Sequence, residues 1–216
     1  MIELLVKATL ETFYMVSVST AFTALLGLPL GIILVVTSKG HISEHPSINT
    51  SLSYIVNMAR SLPFIILMIF IIPFTRFIVG TSIGTNAAIV PLVVAAIPFY
   101  ARIVESALHE VDEGVIEAAI SMGANPFDII FRVLLPEALP SLILGTTITI
   151  INLLGYSAMA GAVGGGGIGD LAIRYGYHRF NTQIMIATII LLIALVQGIQ
   201  ATGNLIANGI QKNRKR

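Results

Sequence analysis

The chain is predicted to be an all-α membrane protein with five transmembrane helices, and three observations carry that class. Residues of the AVILMFWYC set make up 56% of it and charged residues only 11%, whereas a soluble globular domain carries about 25% charged residues. The mean hydropathy is +0.91, and apolar windows recur that approach or reach the ~20 residues needed to cross a hydrocarbon core of ~30 Å. Between two of these windows lies a polar segment, residues 105–137, unlike the rest of the chain. A single transmembrane domain over residues 1–216, with that segment as its main loop, leaves no room for a folded soluble module.

The first span is expected over residues 13–36, followed by a polar turn that reaches Thr50. Gly27 and Gly31 bracket Pro29 inside it and mark helix packing or a kink. The second, over 52–74, contains Arg60, Pro63 and Pro73, so its ends are expected to be kinked or interfacial. The third, 87–104, holds Pro91 and Pro98, which a membrane helix tolerates because neighbours satisfy the freed carbonyls. The fourth, 139–163, is rich in Thr, Ser, Gly and Ala, and the fifth covers 181–206.

Five spans put the termini on opposite sides of the membrane. The basic tail Lys212, Arg214, Lys215 and Arg216 is assigned to the cytoplasm, with the N-terminus outside. Lys39, Arg60, Arg102, Arg132 and the four tail residues then lie inside, against Lys7, Arg76, Arg174 and Arg179 outside, a bias of eight to four. The segment 105–137 becomes a cytoplasmic loop.

Nine charged residues fall between Arg102 and Glu137, so this stretch is not in lipid. Apolar residues from Ala107 to Met122 recur at three- and four-residue steps, the period of a helix or two short helices with one apolar face. Gly123 supplies a turn, and Asn125-Pro126 opens a second helix that ends by Leu135-Pro136, with Phe127, Ile130, Phe131 and Leu134 on one face. Ala118, Ala119 and Gly123 are small enough for a partner's backbone to approach, and Glu113, Glu117 and Asp128 offer anchors for basic side chains. Either a packed loop or a docking lever satisfies this pattern.

The order Glu117-Ala118-Ala119, Gly123, Val133, Leu135-Pro136 is similar to the signature loop of bacterial ABC importer permeases. Over nearly its full length the chain resembles the methionine ABC importer permease family. The resemblance is carried by Arg60-Ser61-Leu62-Pro63-Phe64, Ile72-Pro73-Phe74-Thr75-Arg76, Gly155-Tyr156-Ser157-Ala158-Met159 and Leu135-Pro136-Glu137-Ala138-Leu139-Pro140. It implies a type I ABC importer permease fold in the bacterial inner membrane and a homodimer that is not itself catalytic. Implied partners are two copies of a cytoplasmic ABC ATPase subunit, which binds the ATP and Mg, and an extracytoplasmic methionine-binding lipoprotein. Coupling to the ATPase is expected at Glu113, Glu117, Ala118, Ala119, Gly123, Asn125, Pro126, Leu135 and Pro136. The implied cargo is methionine, L- or D-, while composition leaves another amino acid or a small peptide open.

In the fourth span, small-residue packing or a water-filled passage explains Thr146, Thr147, Thr149, Asn152, Gly155 and Ser157. By resemblance Met159, flanked by Tyr156 and Ser157, is the constriction across the dimer axis, where flexible thioethers of two copies meet. The run Gly164-Gly165-Gly166-Gly167-Ile168-Gly169 lacks the Lys-Ser or Lys-Thr of a phosphate loop and is expected to be a flexible outer loop. Asp170, Arg174 and Tyr177 after it form either an interfacial aromatic belt or a docking surface for the binding protein. The four histidines do not have metal-cluster spacing, cysteine is absent, and no cofactor site is expected in the chain. A net charge of +1 gives no reason to expect nucleic acid; membrane lipid is the expected surrounding.

Overall fold

The computed structural model describes residues 1–214, the side chains of 213 and 214 apart; the tail expectation for Lys215 and Arg216 lies outside the described residues. Helices follow in the order α1 (Ile2–Val36), α2 (Pro46–Arg60), α3 (Phe64–Phe70), α4 (Ile72–Val79), α5 (Thr85–His109), α6 (Glu113–Ser121) and α7 (Pro126–Ile129). After a π turn over Ile130–Leu134 come α8 (Leu135–Gly161), α9 (Gly167–Leu171), a second π turn over Ala172–Tyr177, and α10 (Thr182–Arg214).

Four stretches are long and apolar enough to cross a membrane: Ile2–Val36, Thr85–His109, Pro126–Gly161 and Thr182–Lys212. A fifth span exists if α2 and α3 are one element, and these two meet at an angle of 98°. Pro63 is the physical cause of that break. It has no amide hydrogen to continue the ladder, and it disfavours helical backbone at Leu62. The third span is longer than expected, and Pro91 and Pro98 do not interrupt it. The first begins at Ile2, where Lys7 and Glu11, 3.9 Å apart, form an i,i+4 pair on the added turns.

The expected helix pair of the polar segment needs correction. Its first part, expected as one helix or two, is two, because α5 continues to His109 before Asp112 starts α6. Its second helix does not stop at Leu135-Pro136, since residues 126–161 form one continuous helix. Pro136 lies in the first turn of α8, with the π turn before it, where a missing amide hydrogen is accommodated.

Packing divides into two compact units. The first comprises Met1–Thr23, Leu62–Ala96 and Ile148–Ala201, and the second Ala24–Ser61, Ile97–Thr147 and the chain from Thr202. In the first, Met15, Val16, Phe64, Met68, Leu92, Leu153 and Leu154 form a core, with a smaller cluster around Ala8, Ile168, Leu171 and Ile184. In the second, Val35, Tyr100, Val104, Leu108, Ile116, Ile129, Leu134 and Leu142 pack together. Only 11% of the apolar window of α10 is buried within the chain, so lipid or another subunit is its natural solvent.

Small residues set the helix spacing in the second unit. A Cβ on Gly31 would fall 2.5 Å from Val104 Cβ, and one on Gly203 would fall 2.1 Å from Thr147 Oγ1. Such contacts favour the packing alternative for both Gly31 and Thr147 over a kink or a water passage. Thr146 and Thr147 also donate to the carbonyls of Leu142 and Ile143 at 2.7 and 2.8 Å, which leaves their hydroxyls satisfied inside the chain.

An ionic contact holds the same unit. Arg102 pairs with Glu105 at 2.5 Å, both side chains mostly buried, and donates a second bond to the Ser53 carbonyl at 3.1 Å. Replacing Arg102 with Met leaves the Glu105 carboxylate without this cation. The expected cost is about 3 kcal/mol, as for breaking a buried pair, measured as a lower midpoint in thermal unfolding of the detergent-solubilised protein.

Candidate functional site

In the second unit, α6 starts because Asp112 caps it, accepting from the Gly114 amide at 2.8 Å with extended backbone at the cap. Ile116 and Ala119 turn inward and anchor the helix in the core. Glu113, Glu117 and Ala118 lie exposed on its free side. Ala119, expected on the free face as well, is only 4% exposed, so its small size serves packing inside the chain. Gly123 comes next with φ +81, a left-handed conformation that glycine adopts without strain, and nothing lies within 4 Å of where its Cβ would be.

Asn125 then caps α7, accepting from the Asp128 amide at 3.0 Å, with Pro126 in the first turn where no donor is needed. Leu135 is half-buried beside the core and Pro136 is exposed. Ile129 and Leu134 are buried, whereas Phe127 and Phe131 are exposed with rings stacked at 6.4 Å. The expected single face of Phe127, Ile130, Phe131 and Leu134 is thus divided. A π turn adds a residue to the hydrogen-bonded ring and rotates the residues beyond it, so a 3.6-residue period places the aromatics on the wrong side. These two phenylalanines, like Val115, Ile120 and Met122, are exposed apolar residues of the segment.

A cleft of about 350 Å³ in this unit is lined by Lys39, His41, His109, Glu113 and Glu117 among others. His41 Nδ1 accepts from the Ile42 amide at 3.0 Å, and its ring meets that of His109 edge-on at 6.4 Å. Burial foremost, then the charge of His109, lowers the His41 pKa, and Glu113 opposes them. The folded state therefore favours neutral His41. Its contribution is fully present above the ordinary imidazole pKa of about 6.5 and is lost as pH falls through the lowered folded value. The thermal midpoint is expected to drop as pH falls below about 6.5, and His41→Gln should flatten that part of the profile.

The first unit holds the second cluster. Tyr156 stacks on Phe64 with ring centroids 4.5 Å apart and planes 4° from parallel. Ser157 is buried and donates to the Leu154 carbonyl at 2.8 Å, so its hydroxyl is used within the helix. Met159 is 49% exposed. The three neighbours therefore face different surroundings, and of them Met159 presents most to the outside of the chain.

After Met159 the chain turns back in close contact with itself. A Cβ on Gly161 would lie 2.2 Å from the Asp170 nitrogen, and one on Gly169 would lie 2.2 Å from the Ala158 oxygen. The Gly165 amide donates to the Ala160 carbonyl at 3.0 Å. All five residues of α9 are buried. The glycine run is a packed, hydrogen-bonded element, which corrects the expected flexible loop.

Asp170 is buried and accepts from the exposed Arg174 guanidinium one turn on. Arg179 lies 4.5 Å above the Tyr175 ring, and exposed Tyr177 meets His178 edge-on. Asp170 is thus a support for Arg174, while Arg174 and Tyr177 form the surface. Among the described residues no group of three His, Cys, Asp or Glu is placed to hold a metal.

The chain thus combines at least four stretches long and apolar enough to cross a membrane with a charged, capped helix off them. Residues 14–212 match the model of the binding-protein-dependent transport system inner membrane component, and the chain belongs to that family. It is 55% identical over 202 residues to the probable D-methionine transport system permease protein MetI of Vibrio cholerae, covering 94% of this chain and 90% of that one. It is 48% identical to the methionine import system permease protein MetP of Bacillus subtilis, covering 95% and 93%. The structure of the MetNI methionine ABC transporter in inward-facing conformations superposes with a TM-score of 0.96 at 51% identity, covering 97% of both chains. The fold is that of this permease type, and the chain is a multi-pass inner-membrane protein.

Proposed function

We propose that the chain is the membrane-spanning permease subunit, one permease domain, of an ATP-driven importer that carries methionine, L- or D-, across the bacterial inner membrane. The observation that carries this reading is 51% identity and a TM-score of 0.96 to the MetNI methionine transporter over 97% of the chain.

The partners are inferred from the surfaces. On α8, Leu144, Ile148, Gly155 and Met159 recur at helical spacing and are all exposed, an apolar stripe that a second copy of the chain would cover. Met159 pairs would then close the passage, with Tyr156 and Ser157 fixing the helix behind them. Two copies of a cytoplasmic ATPase bind ATP and Mg and grip the coupling segment. Exposed Glu113, Glu117 and Ala118 would face them, with Gly123, Asn125 and Pro126 forming the turn, and Leu135 and Pro136 joining it to α8. Ala119 acts from beneath by anchoring α6. The C-terminus and this segment are cytoplasmic and the N-terminus is outside, a reading supported by the eight-to-four bias of basic residues. An extracytoplasmic methionine-binding lipoprotein would meet Arg174 and Tyr177, with Asp170 holding Arg174 in place.

Reconstitution in proteoliposomes with the ATPase and the binding protein tests this. ATP-dependent uptake of methionine above that of other amino acids and dipeptides is expected. Preferential uptake of one of those competitors would overturn the cargo, and uptake independent of the ATPase would overturn the class.

A further inference from the structure

We propose that Glu11 and Thr12 on α1 are positioning residues for the gate, clamping α9 against the last turn of α8; the inference rests on the reading of Met159 as that gate. The first two amides of α9 have no partner within so short a helix. Both are taken by side chains far away in sequence. Gly167 donates to Glu11 Oε2 and Ile168 donates to Thr12 Oγ1, each at 2.9 Å.

The other side of α9 is in backbone contact with the turn that carries Met159. Gly169 and Asp170 approach Ala158 and Gly161 so closely that a Cβ on either glycine would sit 2.2 Å from a main-chain atom of the opposite segment. Residues 158–161 and the Glu11-Thr12 turn are therefore joined through five buried residues with no slack. Thr12 is 2% exposed, and the Glu11 side chain is 32% exposed and lies 3.9 Å from the Lys7 ammonium. Displacing the outer turn of α1 must either carry the Met159 turn with it or break these two bonds. Phe64 stacking on Tyr156 fixes the same helix from another side, so the clamp sets position without being the sole support.

The chain has no cysteine, so Met159→Cys is a unique label site. In the nucleotide-free complex with its ATPase, Glu11→Ala is expected to change the rate at which a membrane-impermeant thiol reagent modifies that cysteine on the order of tenfold, the scale of one charge-assisted hydrogen bond. Glu11→Gln keeps an acceptor oxygen for Gly167 and is expected to restore the parent rate. Thr12→Val against Thr12→Ser is the second pair, should Glu11→Ala fail to assemble. Equal labelling in Ala and Gln variants, whether both native or both altered, overturns the clamp.

A separate arm tests the underlying gate: Met159→Ala, with no other change, is expected to raise ATP-independent methionine leak. A native leak with clamp-dependent labelling would leave the clamp standing and remove Met159 as the gate. A raised leak with clamp-independent labelling would do the reverse.

Discussion

A complex carrying Gly123→Arg is expected to assemble and yet to lose both methionine uptake and transport-coupled ATP hydrolysis. Gly123 closes α6 through a set of short backbone bonds. The amides of Met122, Gly123 and Ala124 donate to the carbonyls of Ala118, Ile120 and Ala119 at 3.1, 2.9 and 3.1 Å. With φ at +81, any side chain there costs roughly 1–2 kcal/mol of backbone strain. That cost alone does not unfold α6, which is anchored by Ile116 and Ala119. What differs is bulk. Nothing in the chain lies within 4 Å of a Cβ at this position, so the arginine side chain projects onto the face proposed to meet the ATPase. Gly123→Ala carries the same strain without the bulk and should retain most uptake. Normal methionine transport by an assembled Gly123→Arg complex would sink the coupling assignment.

Gly169→Ala should be more damaging than its single methyl suggests. The added carbon would stand 2.2 Å from the Ala158 oxygen and 2.5 Å from its Cα, main-chain atoms that cannot rotate aside. Overpacking of this kind costs about 1–3 kcal/mol and shifts backbone. Here the shift falls on the turn before Met159. A lowered thermal midpoint and lost uptake are expected together. Gly209→Ala on α10 is the matched control: its Cβ meets nothing within 4 Å, and a helical Gly→Ala exchange is worth about 0.5–1 kcal/mol in the stabilising direction. Equal midpoints for the two variants would refute the packing account of α9.

The spans are legible in the sequence because lipid imposes a long, uniform apolar run that needs no knowledge of neighbours. α1 and α5 contain the expected windows and α8 and α10 cover theirs to within two residues, whereas the 98° break at Pro63 falls in the middle of the remaining one and not at its ends. The motif from Glu117 to Gly123 is legible for a different reason: capping and turn chemistry are local. The differences between expectation and structure have nonlocal or register-dependent causes. The π turn over 130–134 leaves no compositional trace, so a regular helical period puts Phe127 and Phe131 on one face with the buried Leu134. Ala119 and Ala118 are chemically identical, and only the tertiary position of α6 separates the buried one from the exposed one. The glycine run looks loose because its partners, Glu11 and Thr12, stand 156 residues away from the amides they accept from. No window on the sequence contains both.

The unbroken helix from Pro126 to Gly161 bears on how chimeras of such permeases are to be cut. A graft that exchanges the proposed ATPase-facing segment at Leu135-Pro136 would saw through a continuous helix and mismatch its two halves in rotation. The natural seam lies upstream, at Gly123–Asn125, where the main chain already changes direction. A transplanted segment joined there would bring the entire fourth span with it but leave Glu113, Glu117 and Ala118 on the recipient's α6, so the proposed motor-facing surface would be divided between the two parents.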